Sequence, residues 1–414
     1  MPSNLIKKYQ QSFLTNSFYL YMSYFADYFL LILFIPFIAR TVGASEFGKI
    51  GIAQTFGILI ILFMEFGSSL MVTRKVARIK DDNKQLKLFI GKITTFKIFL
   101  LPIAILITAT AFFVVPIFSD NPNYIIIVAL GAVFQGISPI WYFQGIEKMR
   151  KIAFSKIIFR LIGFILIVLF VRSSTDGWIV LASFSFSSIL ICLYLYSVII
   201  RKMGLFRIGG LSESINIFVE SAPSFSITII PILYQSISVF ILSVYVNPLQ
   251  LGFYYGASRI HRAFNTLYGP LSQAFFPIIS KINEKNKIKS RVLIKNYFLL
   301  IFLIGLLFFL INFFFAEKII SIFLGDKFLP ASETLKFFSI VLPLTAVSNS
   351  LGRQWLMVLN KDYYFATIQL LSSLIAFFSF YYFLPIIGVK SLPVSLIIYE
   401  LTSIFLVSIF LIKK

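Results

Sequence analysis

The chain has 414 residues, of which 59% are hydrophobic and 13% charged, with 50 Phe and a mean hydropathy of +0.92. A soluble domain carries about 25% charged residues, and a water-soluble core could not hide this much apolar surface, so a soluble globular protein is excluded. The single Cys192 and the single His261 exclude an internal disulfide and an H-E-x-x-H zinc site.

Apolar runs of about 20 residues alternate with basic clusters along the whole chain. Lys7 and Lys8 precede a first run at 13–39. That run is too long and too aromatic for a signal-peptide core and no A-x-A site follows, so it reads as a retained first span. A second span, 49–71, leads to the cluster Arg74 through Lys87. Spans three and four, 88–114 and 123–146, lead to Lys148 through Lys156; spans five and six, 152–171 and 177–200, lead to Arg201, Lys202 and Arg207. Beyond a middle loop at 201–213, spans seven and eight (214–240 and 249–279) run to Lys281 through Lys295. Spans nine and ten, 293–315 and 334–357, run to Lys361, and eleven and twelve, 363–384 and 389–412, run to Lys413 and Lys414. Basic clusters thus mark every second connection and both ends, which by the positive-inside rule places them, with both termini, in the cytoplasm. The opposite side holds only Arg40, Lys49, Arg172, Lys318, Lys327, Lys336 and Lys390. The net charge of +21 is therefore a topology signal before it is a ligand signal, and it gives no reason to invoke nucleic acid.

The middle loop divides the chain into six-span halves, 1–205 and 206–414. A faint repeat supports the division. Phe47-Gly48-Lys49-Ile50-Gly51-Ile52-Ala53 opens span two, and Leu251-Gly252-Phe253-Tyr254-Tyr255-Gly256-Ala257 opens span eight. Trp141 and Trp355 fall near the ends of spans four and ten. The predicted fold class is an all-α polytopic membrane protein, with about 12 transmembrane helices in two pseudo-symmetric six-helix bundles around a central cavity. Pro36, Pro102, Pro139, Pro223, Pro231, Pro277, Pro343 and Pro393 fall inside spans and predict local kinks, with hinges for alternating access as the other reading.

Two motifs resemble chemistry without its context. Residues 43–49 fit the first seven positions of a phosphate-binding loop, but Ile50 stands where a magnesium-binding hydroxyl belongs and no strand precedes it. Gly252 and Gly256 form a G-x-x-x-G pair, which predicts close helix packing.

The charges inside spans are more informative. Lys92, Lys97, Arg160, Arg259, Arg262 and Arg353 are cations there; Asp27, Glu65, Glu220 and Glu400 are acids. Each would cost about 2.5–3.5 kcal/mol at the bilayer centre, so most must face one another or a wet cavity. Helical spacing agrees. Tyr255, Arg259, Arg262 and Thr266 share a face of span eight, Thr345, Asn349 and Arg353 a face of span ten, and Ser23, Tyr24, Asp27 and Tyr28 a side of span one. Glu220, Ser224, Thr228 and Gln235 line span seven. Arg259 sits near mid-membrane at about 1.5 Å per residue, whereas Lys92 and Arg353 are close enough to the cytoplasmic surface to snorkel. His261 points away from both arginines and reads as a packing residue. Arginine grips phosphate in a bidentate fork and lysine adds a point charge, so the cations suit an anionic cargo with a pyrophosphate headgroup. The candidate substrate-binding set is Arg259, Arg262, Lys97, Arg160 and Arg353. The acids are ion-pair partners or sites for a coupling proton or sodium ion, with Asp27 and Glu400 the deepest, Glu220 nearer the cytoplasm, and Glu65 the fourth candidate.

Residues 35–48 (Ile35-Pro36-Phe37-Ile38-Ala39-Arg40-Thr41-Val42-Gly43-Ala44-Ser45-Glu46-Phe47-Gly48) resemble the first-loop signature of polysaccharide-biosynthesis membrane proteins. Trp141-Tyr142-Phe143-Gln144-Gly145-Ile146-Glu147-Lys148 is similar to their fourth-span ending, and Leu251-Gly252-Phe253-Tyr254 with Phe276-Pro277-Ile278-Ile279-Ser280 to their eighth-span pattern. In order and placement these resemble the O-antigen flippases (Wzx type) of the multidrug/oligosaccharidyl-lipid/polysaccharide exporter superfamily. The resemblance implies two six-helix bundles in a V, and no enzyme activity. It implies flipping of an undecaprenyl-diphosphate-linked oligosaccharide from the cytoplasmic to the periplasmic leaflet of a bacterial inner membrane, coupled to H+ or Na+. The implied cationic lumen corresponds here to Arg259, Arg262, Lys97 and Arg160. The implied partners are membrane lipids, a polymerase and a chain-length regulator. Three rivals stay open: a cation-coupled multidrug exporter of the same superfamily, a lipid II flippase, and an integral-membrane glycosyltransferase or polymerase. The first calls for an acidic or aromatic cavity, the second usually has two more spans, and the third calls for a large outward loop and paired carboxylates.

Overall fold

The computed structural model describes the backbone of residues 3–205, 210–359 and 361–412, with side chains described at most positions beyond residue 32. Helices make up the secondary structure of the described residues, and no strand occurs among them. A helix satisfies its own backbone hydrogen bonds, which lipid cannot do for it.

Helix α1 (Ser3–Glu65) covers spans one and two and is interrupted at Gly43, whose φ of 78° and ψ of 170° break the helical path. Glycine takes that φ without the strain a Cβ would bring. Span two closes at Glu65, earlier than its apolar run predicts, and Phe66 and Gly67 turn the chain with φ of 43° and 64° into α2 (Ser68–Ile79). Span three is two helices, α3 (Asn83–Phe99) and α4 (Leu101–Val114), with Pro102 in the first turn of α4 where its missing N–H is not needed. The short α5 (Pro116–Asp120) precedes α6 (Pro122–Ile137) and α7 (Ile140–Gly145), and Pro139 marks the break between the last two. Next come α8 (Met149–Phe170), α9 (Gly177–Met203) and α10 (Leu211–Tyr245). Span eight is divided into α11 (Pro248–Thr266) and α12 (Tyr268–Lys285). After α13 (Lys287–Phe314) and α14 (Ala316–Leu324), α15 (Ala331–Asn349) runs on as a π-helix over Ser350–Met357. Helices α16 (Asp362–Ile387) and α17 (Ser391–Ile412) complete the order. The predicted spans therefore all fall on helices, in sequence, and the chain is an all-α, multi-pass membrane protein. Eight stretches among the described residues are long and apolar enough to cross a membrane; the last, Tyr363–Phe410, takes in two predicted spans. Helix α11, with Arg259, His261 and Arg262, is not one of them.

By packing, the chain forms two compact units: residues 1–42 with 52–229, and 43–51 with 230–414. In the first, α9 packs against both α6 and α8. The contacts are made close by small residues: a Cβ on Gly131 would lie 2.3 Å from the Ser185 hydroxyl, and one on Gly163 would lie 2.2 Å from that of Ser187. Membrane helices use such residues because dispersion, not water exclusion, holds them together. In the second, α15 packs against α11, α13 and α17, with Tyr268, Tyr297, Ile301, Leu342 and Ala346 in one buried cluster. Large apolar side chains such as Phe113, Ile105 and Phe378 point outward, where lipid receives them.

Candidate functional site

Helix α11 carries the arginine pair. Asn247 starts it by accepting from the Gln250 N–H at 2.9 Å. Three to four residues apart, Tyr255, Arg259 and Arg262 come onto one face, and Arg262 and Tyr255 are among the groups that act on Arg259. Arg262 is exposed and donates from Nε and Nη2 to the Ser258 hydroxyl at 3.3 and 3.0 Å. A serine hydroxyl orients a guanidinium without neutralising it, so the charge of Arg262 stays available to an anion. Arg259 is half-buried and beside it, which sets two like charges together on one helix. His261 faces elsewhere, its ring stacked on Phe338 at 4.9 Å.

Glu400 lies deep in the same unit, on α17. It is 8% exposed, and the Thr345 hydroxyl on α15 donates to it at 2.7 Å. Ser348, one turn further along α15, is a second hydroxyl at this carboxylate and pairs with Ser403 at 3.2 Å. The polar chain continues: Gln369 donates to Ser403 at 3.3 Å, Tyr399 donates to Gln369, and Tyr234 pairs with Ser395 at 2.6 Å while stacking on Tyr399. This network on α10, α15, α16 and α17 was not apparent as a unit in the sequence. Its signal was there as Ser395, Tyr399 and Ser403 at four-residue spacing beside Glu400. The partners stood too far along the chain to be matched.

In the other unit the candidates separate. Lys97 is 2% exposed, and its ammonium donates to the carbonyls of Met64 at 2.6 Å and Glu65 at 3.3 Å. The last turn of a helix leaves carbonyls without partners and concentrates negative partial charge, so Lys97 caps α1 where Phe66 and Gly67 turn away. Glu65 ends that helix with Lys97 and Lys156 as its neighbouring charges. Arg160, half-buried, stands one turn after Lys156 on α8. Glu220 is exposed on the first half of α10 and lines a separate cavity with Lys75 and Lys92. The side chains of Asp27 and Arg353 lie outside the described residues; the backbone of Arg353 falls in the π-helix. Among the described residues no group of three or more His, Cys, Asp or Glu could hold a metal ion. Lys49, in the phosphate-loop look-alike, sits in a helix and pairs with Glu46 at 3.2 Å.

These charges sit in a chain whose apolar helices are broken at Gly43, Leu100 and Leu267. The chain aligns with a solved structure of the lipid II flippase MurJ over 97% of this chain and 88% of that one, at a TM-score of 0.73 and 14% identity. It aligns with a MATE transporter of Vibrio cholerae over 98% and 99%, at a TM-score of 0.60 and 14% identity. The fold is thus that of the MurJ and MATE transporters. The model of the family "Polysaccharide biosynthesis protein" matches residues 13–283, and the chain belongs to that family. A protein of Escherichia coli (strain K12), provisionally named an O-antigen transporter, is 28% identical over 371 residues, 87% of each chain. A protein of Shigella dysenteriae with the same provisional name is 25% identical over 374 residues, 87% of this chain and 90% of its own.

Proposed function

We propose that this protein is a flippase that moves undecaprenyl-diphosphate-linked O-antigen, or similar surface-polysaccharide repeat units, from the cytoplasmic to the periplasmic leaflet of a bacterial inner membrane. The observation that carries the reading is the Arg259–Arg262 pair on α11, in a chain of the polysaccharide biosynthesis family with a MurJ-like fold. Two guanidiniums three residues apart, one of them hydrogen-bonded to a neutral hydroxyl, match the two phosphates of a diphosphate. The polyprenyl tail stays in lipid and the glycan travels in the polar interior. Glu400 is the coupling group: a buried carboxylate met by the Thr345 and Ser348 hydroxyls can exchange a proton, or give a sodium ion oxygen ligands. Both termini are cytoplasmic, the halves 1–205 and 206–414 are the transport repeats, and a polymerase with its chain-length regulator receives the product.

The test follows a labelled undecaprenyl-diphosphate oligosaccharide between leaflets of proteoliposomes. Wild type should move it, and Arg259→Ala/Arg262→Ala should slow it at least about tenfold, the loss of roughly 1.4 kcal/mol of headgroup binding. Transport unchanged in the double variant would remove the headgroup from these arginines. Efflux of a cationic dye without glycolipid movement would make the protein a multidrug exporter.

A further inference from the structure

A second polar feature belongs to the first unit and has no part in the reading above. Between α2, the first part of α3 and the first part of α10 lies a half-open cavity of about 330 Å³, lined by Lys75, Gln85, Phe89, Lys92, Asn216 and Glu220, among others. Lys75 is held with its ammonium 5.0 Å from the centre of the Phe89 ring, a cation–π contact that fixes the charge at the cavity wall. Gln85 and Lys92 are seven residues apart on α3, so the cavity wall runs about 10 Å along that helix, from the loop end inward. Around it Leu88, Ile215, Phe218 and Val219 are 49%, 54%, 41% and 64% exposed. Of these, Leu88 lies in a stretch long and apolar enough to cross a membrane. The cavity therefore sets the polar Lys75, Gln85, Lys92, Asn216 and Glu220 among the apolar Ile79, Leu88, Phe89 and Ile217, with further exposed apolar side chains around it.

Size and sign narrow the occupant. Small-molecule sites run from about 300 to 1,000 Å³, so this one admits a single headgroup and not an oligosaccharide. Among the described residues, two ammoniums and one carboxylate line it. A diphosphate would place its charge against Glu220, whereas a headgroup with one phosphodiester and one ammonium meets both signs. We propose that this cavity is a resident phospholipid site for an ethanolamine-type headgroup, with the phosphate at Lys75 and Lys92, the ammonium at Glu220 and the acyl chains against Leu88, Phe218 and Val219. The lipid ties the start of α10 to α2 and α3. It is not the transported cargo, so the site stands whether or not the flippase reading holds.

The test loads delipidated full-length protein into nanodiscs of equimolar phosphatidylethanolamine and phosphatidylglycerol, extracts it in mild detergent, and counts retained lipid by native mass spectrometry. Wild type should retain phosphatidylethanolamine over phosphatidylglycerol by about fivefold or more. Lys75→Gln/Lys92→Gln should lose that retention, Lys75→Arg/Lys92→Arg should keep it, and Glu220→Gln should reverse the preference. Lys202→Gln, a basic residue outside the cavity, controls for net charge and should change nothing. Melting temperatures of the purified variants identify any that fail to fold, and for those the Glu220→Gln reversal is the deciding measurement. Equal retention of both lipids by wild type, or loss of the preference in Lys202→Gln, would overturn the proposal. So would displacement of the lipid by inorganic phosphate alone, which would leave a simple anion site.

Discussion

Lys97 and Arg259 are both cations deep in predicted spans, and their surroundings divide them. The Lys97 ammonium closes the end of α1 through two carbonyls, while Arg259 stands beside a second arginine on a polar helix face. Lys97→Met should therefore act on folding. Leaving buried carbonyls without a donor costs about 1–3 kcal/mol, read as a lower melting temperature in detergent, and an unchanged melting temperature would refute the capping role. Arg259→Ala should leave the melting temperature near wild type and act on transport. Glu400→Gln keeps an oxygen for the Thr345 hydroxyl but cannot take up a proton. Transport in this variant should lose its dependence on an imposed proton gradient while downhill exchange of glycolipid continues; gradient stimulation equal to wild type would remove Glu400 from coupling. The arginine pair was legible from three-residue spacing. The cap was not, because Met64 and Glu65 lie 33 and 32 residues from Lys97 and nothing periodic links them.

Among the elements, the two segments that echo each other in sequence meet in the fold. A Cβ on Gly48 would lie 2.3 Å from the Pro248 carbonyl oxygen, and one on Gly252 would lie 1.8 Å from that of Ala44. A Cβ on Gly51 would run into the Tyr255 ring at 2.3 Å. Residues 43–51 accordingly pack with 230–414 and not with the rest of the first half. Gly252→Ala pushes a methyl into backbone, which cannot step aside, and should destabilise by at least about 1–3 kcal/mol. Gly269, in the first turn of α12, has none of the described residues within 4 Å of a Cβ, so Gly269→Ala should be neutral or stabilise by up to about 1 kcal/mol through helix propensity. Thermal unfolding of the two variants side by side checks the pair; equal effects would mean that the 44–252 approach is looser than described. The G-x-x-x-G spacing at Gly252 and Gly256 announced close packing but not its partners. Gly252 meets Ala44, whereas Gly256 faces Leu324 and Phe328.

For the molecule as a whole, charge asymmetry implies orientation. Three of the sparse cations assigned to the outward side are paired with acids, Lys49 with Glu46, Lys336 with Glu317 and Lys390 with Glu333. Neutralised locally, they weaken the inward signal less than their number suggests. In a Cys192→Ala background, Lys202→Cys and Lys281→Cys should react with an impermeant thiol reagent only from the cytoplasmic side. Arg172→Cys and Lys327→Cys should react only from the other, and the reverse pattern would overturn the orientation. All four positions are exposed, and the native Cys192 is buried. Hydropathy and basic clusters were enough to determine that this is a many-span helical membrane protein, where its helices run and which charges had to be accounted for. The bilayer charges each span separately for its polar groups, so that information is local. Tertiary structure alone decided that Lys97 caps a helix, that Glu400 on α17 meets two hydroxyls of α15 and that residues 43–51 pack against α11. Each depends on contacts between segments far apart in the chain, which no run of adjacent residues encodes.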